Sequence, residues 1–375
     1  MAAGIRSVGL NALFLDPGET GGPETYLRGL VPALTRQAPH VAFSLVTTRR
    51  GAARLRVEGW HEWLEVIALA ADEGERARRL LAEQVVLPRL AARRGWDLVH
   101  SLASTAPLRR PVPSVITLHD VTFLRFRTFS HVTTLALRFT VVPPARRADW
   151  LIAVSSAARD EAITQLGLDP ERFTVVPNGA GRPQLGAADL HTVRSKYDLA
   201  DRRIVLSVGA KRPHKNQALL VRASASLPED VVVVLAGRPE AYDAELRRLA
   251  DRLDVDERLR FVDYVSDEDL EALWRLASAA AFPTRAEGFG LPVLEAMARG
   301  VPVACSDIPV LREVGGDLPH YFDPDDPASA AMAIGRALGD LRADALRTRA
   351  AGFSWDRAAA ETLGVYERAV ARTRS

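Results

Sequence analysis

Short β-branched runs alternate with longer amphipathic stretches along this chain, and the alternation runs through twice. Strands spaced this way pair in parallel, because a parallel pair needs a crossover of a dozen or more residues and a helix supplies it. In the first half the pattern predicts strands over 5–15, 41–47, 63–67, 97–100, 113–118, 151–154 and 173–176, with helices over 22–37, 75–94 and 155–166 between them. A Gly/Pro-rich segment, Pro177-Asn178-Gly179-Ala180-Gly181-Arg182-Pro183, interrupts the series. It restarts with strands over 203–208, 231–236, 258–262, 278–282 and 301–305. Val231-Val232-Val233-Val234-Leu235 is wholly apolar, as a strand buried on both faces requires. The expectation is an α/β protein of two doubly wound, Rossmann-like domains, 1–183 and 184–353, facing each other across a cleft. A helical tail, Phe353 to Ser375, follows with Ser354 as its N-cap and Asp356 in its first turn, and need not belong to the second domain.

The 375 residues suit two domains at roughly 100–200 residues each. A net charge of +2 argues against a nucleic-acid partner. The single cysteine, Cys305 in the apolar run Val301-Pro302-Val303-Ala304-Cys305, rules out an intrachain disulfide and reads as a buried, inert thiol. The eight histidines show no zinc spacing. The amino end, Met1 to Arg6, runs into the first strand without a signal-peptide core, and no stretch reaches ~18 apolar residues. A cytoplasmic protein is expected. Arg76-Ala77-Arg78-Arg79, with Leu80, Leu81, Val85, Val86, Leu87, Leu90, Arg93 and Arg94, reads as an ordinary surface helix. A peripheral contact with the inner membrane face is its alternative.

Four segments carry residue types suited to an anionic, hydroxyl-bearing ligand. In Asp16-Pro17-Gly18-Glu19-Thr20-Gly21-Gly22-Pro23-Glu24-Thr25-Tyr26, glycines at a helix start let backbone N–H groups approach a phosphate. No G-x-G-x-x-G occurs there, and a plain turn is the competing reading. Leu118-His119-Asp120 lies past the carboxyl end of an apolar strand, where open α/β sheets place ligands. Alternatively Asp120 caps the next segment and His119 is a surface residue. The loop Ser207-Val208-Gly209-Ala210-Lys211-Arg212-Pro213-His214-Lys215-Asn216 puts Lys211, Arg212 and Lys215 where they suit a diphosphate, without Walker spacing. A solvated basic loop is the alternative. In the last segment, Phe282 to Met297, a strand ends in a Gly-rich turn holding Glu287, and a helix begins near Leu291. Glu295 stands among Leu294, Ala296 and Met297, where a carboxylate needs a partner such as a ligand hydroxyl. Unspent N–H groups of Gly290 and Leu291 at the helix start favour phosphate. The alternative is a glutamate favoured by the helix dipole and a surface Glu295. Asp267-Glu268-Asp269 after Ser266 reads as a capped first turn, and Asp323-Pro324-Asp325-Asp326 as turn chemistry.

In this order the segments resemble a retaining glycosyltransferase of family four, on the GT-B fold. The resemblance covers nearly the whole chain. It is carried by Gly21 to Tyr26, His119-Asp120, Val154-Ser155-Ser156, Val176-Pro177-Asn178-Gly179, Val208-Gly209 with Pro213-His214-Lys215-Asn216, Leu235-Ala236-Gly237, and the glutamate, seven residues, glutamate signature from Glu287 to Glu295. It implies that Glu287 meets donor-sugar hydroxyls and Glu295 the ribose of the nucleotide. It implies that Lys215 contacts the donor diphosphate, with Gly209, Arg212 and the turn Gly288-Phe289-Gly290-Leu291 around it and help from Gly21 and Gly22. His119 would lie beside the reacting carbon, the backbone near Val265 would meet the base, and the final helix, about 354–375, would cross back to the first domain. Many relatives carry arginine where this chain has Ala210, and Lys211 or Arg212 stays open as its replacement. The chain is closer to a subset with a small residue there and a proline-basic-lysine-asparagine run.

The resemblance implies hexosyl transfer with retention from a GDP- or UDP-linked sugar, with mannose favoured through His119 to Phe126, and no metal or other cofactor. The acceptor is a glycan, a lipid-linked glycan or a small molecule. An epimerase or hydrolase of the same fold and a non-catalytic nucleotide-sugar-binding protein stay open as alternatives.

Overall fold

A computed structural model describes residues 4–18, 20–69, 76–124, 131–180, 186–263 and 265–374. The chain divides into two compact units, Met1–Gly179 with Ser354–Ser375, and Ala180–Phe353. The expected boundary at 183/184 lies outside the described residues, as do Glu19 of the first turn, Glu75 of the basic helix, and Arg125 and Phe126.

The first unit is built on seven strands: β1 (Ser7–Ala12), β2 (Ala42–Thr48), β3 (Glu65–Leu69), β4 (Leu98–Ser101), β5 (Ser114–Leu118), β6 (Trp150–Ala153) and β7 (Phe173–Val175). They form one parallel sheet in the order β3-β2-β1-β4-β5-β6-β7. The chain winds outward from β1 to β3, then returns to the other side of β1. The reversal between β1 and β4 is a topological switch point, where the departing loops part and leave a crevice at the carboxyl ends. The basic helix is present from Arg76 and is not uniform: Arg76–Leu81 and Leu87–Arg94 flank a π-helical turn, Ala82–Val86.

The first helix, Gly22–Gln37, packs on the last, Trp355–Arg374, far along the chain. Leu27, Leu30, Val31 and Leu34 share one buried cluster with Ala358, Ala359, Val365, Tyr366, Ala369 and Val370. The late helix therefore completes the unit begun by the first 179 residues. Gly29 permits the close approach: a Cβ there would lie 2.1 Å from the Trp355 indole. Gly29→Ala gains about 0.5–1 kcal/mol of helix propensity but must displace that ring. A net loss of about 1–2 kcal/mol in urea unfolding is expected.

Beneath this contact runs a buried polar chain. Tyr366 Oη and His100 Nδ1 are 2.8 Å apart, His100 Nε2 and Thr117 Oγ1 2.8 Å, and Thr117 Oγ1 and Tyr26 Oη 2.9 Å. Burial pushes the His100 imidazole down to about 3, so the ring is neutral and each nitrogen has a partner able to match it.

The second unit holds β8 (Arg203–Val208), β9 (Val231–Ala236), β10 (Leu259–Val262), β11 (Ala277–Phe282), β12 (Val303–Ser306) and β13 (His320–Phe322). All are parallel, in the order β10-β9-β8-β11-β12-β13, with the switch point between β8 and β11. β9 is buried along its whole length. The edge strand β13 was not among the expected five. Cys305 is buried on β12, and desolvation raises its thiol pKa well above the ordinary value, which leaves it inert. Ser266 caps the helix Asp267–Leu276 by accepting from the Asp269 N–H at 3.2 Å, and Asp326 caps Pro327–Leu338. Among the described residues no helix is long and apolar enough to cross a membrane.

Candidate functional site

The loops leaving β8 and β11 meet over the second unit's switch point. A pocket opens there, lined among others by Ser207, Gly209, Lys215, Pro283, Glu287 and Gly290. Its walls are the carboxyl ends of two adjacent strands and the start of a helix, the standard site for a ligand in an open parallel sheet.

The two loops are sewn together by buried polar groups. Pro213–Lys215 makes one tight helical turn, ended by Asn216 in the left-handed region with φ 56°. The Asn216 amide donates to the Pro283 carbonyl at 3.0 Å and the Pro324 carbonyl at 2.8 Å. The His214 carbonyl accepts from the Arg285 N–H at 2.8 Å and from Thr284 Oγ1 at 3.2 Å. This stitching holds Lys215 against the second loop, where Nζ meets Glu287 Oε1 at 2.5 Å. Both side chains are half-buried, so the pair is less screened than a surface ion pair.

The other two cations of the loop are engaged elsewhere. Lys211 is fully buried, donating to the Gly237 carbonyl at 2.8 Å and lying 3.1 Å from Asp263 Oδ1 and 3.3 Å from Asp243 Oδ1. It ties the β8 loop to the β9 and β10 loops. Arg212 pairs with Glu240 at 2.6 Å and is not among the pocket-lining residues. Of the three charges, Lys215 alone lines the pocket.

The helix Leu291–Ala298 starts at the pocket from Gly290, whose φ of 95° turns the chain into it. A Cβ at this glycine would lie 2.6 Å from Leu311. Among the described residues the N–H groups of Gly290 and Leu291 donate no hydrogen bond, so the positive end of the helix faces the pocket unspent. Glu295 is half-buried in the second turn of this helix and is not among the pocket-lining residues. Gly288 is half-buried, and Phe289 is buried edge-on against Phe353 with ring centroids 5.9 Å apart. Val265, half-buried, immediately precedes the Ser266 cap. No group of three or more His, Cys, Asp or Glu residues among the described ones is placed to hold a metal ion.

In the first unit, Gly21 is the N-cap of the helix Gly22–Gln37, with φ 69° and open space where a Cβ would be. The buried Glu24 holds the turn by accepting from the Gly18 N–H at 2.9 Å, while Arg28 pairs with it at 2.9 Å. His119 follows β5. Its Nε2 lies 2.8 Å from the Leu102 carbonyl, which can only accept, so Nε2 carries the hydrogen and Nδ1 the lone pair. Burial lowers its pKa, against the Leu102 carbonyl and Asp120, which favour the charged ring. Tyr26 packs edge-on against it at 4.9 Å between ring centroids. Asp120 takes the capping role, accepting from the Thr122 N–H at 2.9 Å, whereas His119 is not a plain surface residue.

The Asn216 stitch and the buried amide of Gln217 were not singled out as functional from sequence. Asn216 ends the proline-basic-lysine-asparagine run, but its partners Pro283 and Pro324 lie in other loops, while Gln217 bonds Ala210 in the adjoining loop and no motif marks it.

Residues 20–180 match the family model described as Glycosyltransferase Family 4, and residues 192–351 that described as Glycosyl transferases group 1. A D-inositol 3-phosphate glycosyltransferase of Mycolicibacterium paratuberculosis is 31% identical over 312 residues, covering 73% of this chain and 67% of its own. The O-antigen chain mannosyltransferase B of Escherichia coli is 31% identical over 231 residues, covering 59% of this chain and 61% of its own. The chain thus spans less than two thirds of that mannosyltransferase. The crystal structure of Anabaena HepE in complex with UDP and glucose superposes with a TM-score of 0.73 at 23% identity, over 96% of this chain and 99% of that one.

Proposed function

We propose, from the premise that this chain belongs to glycosyltransferase family four and has the GT-B fold, that it transfers a hexose with retention from a nucleoside-diphosphate sugar to a hydroxyl acceptor. The observation that carries the reading is the Lys215–Glu287 pair in a pocket at the β8/β11 switch point, beside an unspent helix start. As the donor's glycosidic bond breaks, negative charge grows on the phosphate and the sugar becomes oxocarbenium-like. Lys215 and the N–H groups of Gly290 and Leu291 are oriented in advance for that charge, and one such donor contributes roughly 3–4 kcal/mol. Glu287 holds the sugar, and Glu295 the ribose. The likeness to the family assigns His119 to the donor sugar, and in its own unit the ring has Nδ1 as the lone-pair nitrogen and a pKa lowered by burial.

Retention rests on the likeness to family four; Glu287, the carboxylate lining the pocket, is engaged by Lys215 and is not a free nucleophile, so the route is a front-face one rather than a double displacement. The departing phosphate oxygen takes the acceptor proton on the same face. Mannose is the favoured sugar, supported by mannosyltransferases among the relatives. The acceptor is a glycan, a lipid-linked glycan or a small molecule, and the inositol-phosphate glycosyltransferases among the relatives bring polyols into that range.

A thermal-shift screen over GDP-, UDP- and ADP-sugars identifies the donor, since a ligand at 100 times its Kd adds about 2.7 kcal/mol. NMR of the first-formed product then decides the stereochemistry; an inverted anomeric centre, or free sugar with no transfer product, rejects the reading. The same assay in EDTA is expected to keep its initial rate, because the leaving-group charge is assigned to Lys215 and N–H dipoles. Complete loss restored by Mg²⁺ would give that role to a metal.

A further inference from the structure

Gln217 opens the helix Gln217–Ser224 directly behind the basic loop, and its side chain is 4% exposed. Its Nε2 donates to the Ala210 carbonyl at 3.0 Å. A carbonyl only accepts, so this bond decides which end of the amide is nitrogen and turns Oε1 the other way. That oxygen is buried and has no hydrogen-bond partner among the described residues. Gln217 lines the same pocket as Lys215, Glu287 and Gly290. Buried polar atoms are almost always satisfied in folded proteins. An orphan acceptor in the wall of a ligand pocket therefore marks a bond that the ligand completes.

Chemistry narrows what the ligand presents. An amide oxygen and an ionised phosphate oxygen are both acceptors, so the diphosphate is excluded as the partner and belongs with Lys215 and the helix start. An O–H or N–H is required. A nucleotide sugar carries hydroxyls on its ribose and on the transferred sugar. Glu287, assigned to the sugar, lines this pocket, whereas Glu295, assigned to the ribose, is not among its lining residues. The geometry points to Gln217 Oε1 as the acceptor for one hydroxyl of the transferred sugar, which makes Gln217 a specificity-determining residue. This rests on the glycosyltransferase reading above and adds to it a residue that selects among donor sugars.

Gln217→Met keeps the volume and removes the acceptor. Calorimetry with UDP and GDP, and with UDP-glucose and GDP-mannose, is expected to show a split. The bare nucleotide binds within about twofold of wild type, while the matching nucleotide sugar binds about tenfold more weakly. Gln217→Asn, which withdraws the oxygen by one methylene, should show the same split if the methionine variant fails to fold. Deoxy analogues of the matching nucleotide sugar give a second readout. The analogue lacking the bonded hydroxyl loses about tenfold on wild type and nothing further on the variant. Equal losses of nucleotide and nucleotide sugar overturn the assignment, because the residue then only supports the loop through Ala210. Unchanged binding of both also overturns it, because Oε1 then serves a bound water. A wild-type protein that binds none of the GDP-, UDP- and ADP-linked sugars of the donor screen rejects the glycosyltransferase reading itself, an outcome distinct from equal binding by wild type and variant.

Discussion

Lys215→Ala is expected to lower kcat/KM by about 10²-fold or more, the scale of deleting one donor to a developing anion. The loss is large because the loop has no second charge aimed at the same place. Lys211 is committed to Asp263, Asp243 and the Gly237 carbonyl, and Arg212 to Glu240. Arg212→Ala, measured in parallel, should stay within about threefold of wild type, as expected for a partly exposed pair. If Lys215→Ala is near wild type and Arg212→Ala is not, the phosphate sits on the Arg212 side of the loop.

Glu287→Gln should lower turnover by about 10–100-fold, the value of a hydrogen bond to a charged group that tightens as the sugar gains charge. Its effect on the bare nucleoside diphosphate should have the opposite sign. Without ligand, Lys215 is held by Glu287 at 2.5 Å, so an incoming diphosphate must compete with that carboxylate. Removing the charge frees the ammonium, and calorimetry should show the nucleotide binding at least as tightly, by up to about tenfold. Glu295→Gln should behave in the conventional way and weaken nucleotide binding, because ribose contacts serve ground and transition states alike. If Glu287→Gln loses nucleotide affinity while Glu295→Gln keeps it, the two carboxylates have exchanged places.

Much of this architecture is legible in the residues because strands buried on both faces leave unmixed apolar runs. β8 and β9 have the expected bounds, and Val231 to Ala236 shows why: every side chain is inside. β13 has three residues and lies at a sheet edge, so His320-Tyr321-Phe322 carries no run and no alternation to detect. The π turn at Ala82–Val86 is equally silent, since one widened turn leaves the amphipathic spacing of the whole stretch recognisable. At the site, Lys215 and Glu287 are legible because their spacing from glycines and strand ends is local. Lys211 and Lys215 look alike in the sequence. What separates them is which way each faces: one meets acids on the β9 and β10 side, the other a glutamate 72 residues later. Gln217 is marked as functional by a missing partner, which no pattern along a chain can display.

The docking of the helix Trp355–Arg374 onto Gly22–Gln37 also sets a schedule for synthesis. The ion pair Arg36–Asp356 joins residues 320 apart, and the His100–Tyr366 bond joins residues 266 apart. When the ribosome has made residue 353, the second unit is complete, while the first still lacks Ala358, Ala359, Val365, Tyr366, Ala369 and Val370 from its core. The earlier unit in sequence is therefore the later one whose residues are all made. Until then Leu27, Leu30 and Leu34 present apolar surface that residues after 353 will cover, and His100 stands at the open end of the Tyr26–Thr117–His100 hydrogen-bond chain. His119 packs on Tyr26, so the geometry around it is completed only when the helix Trp355–Arg374 has been made.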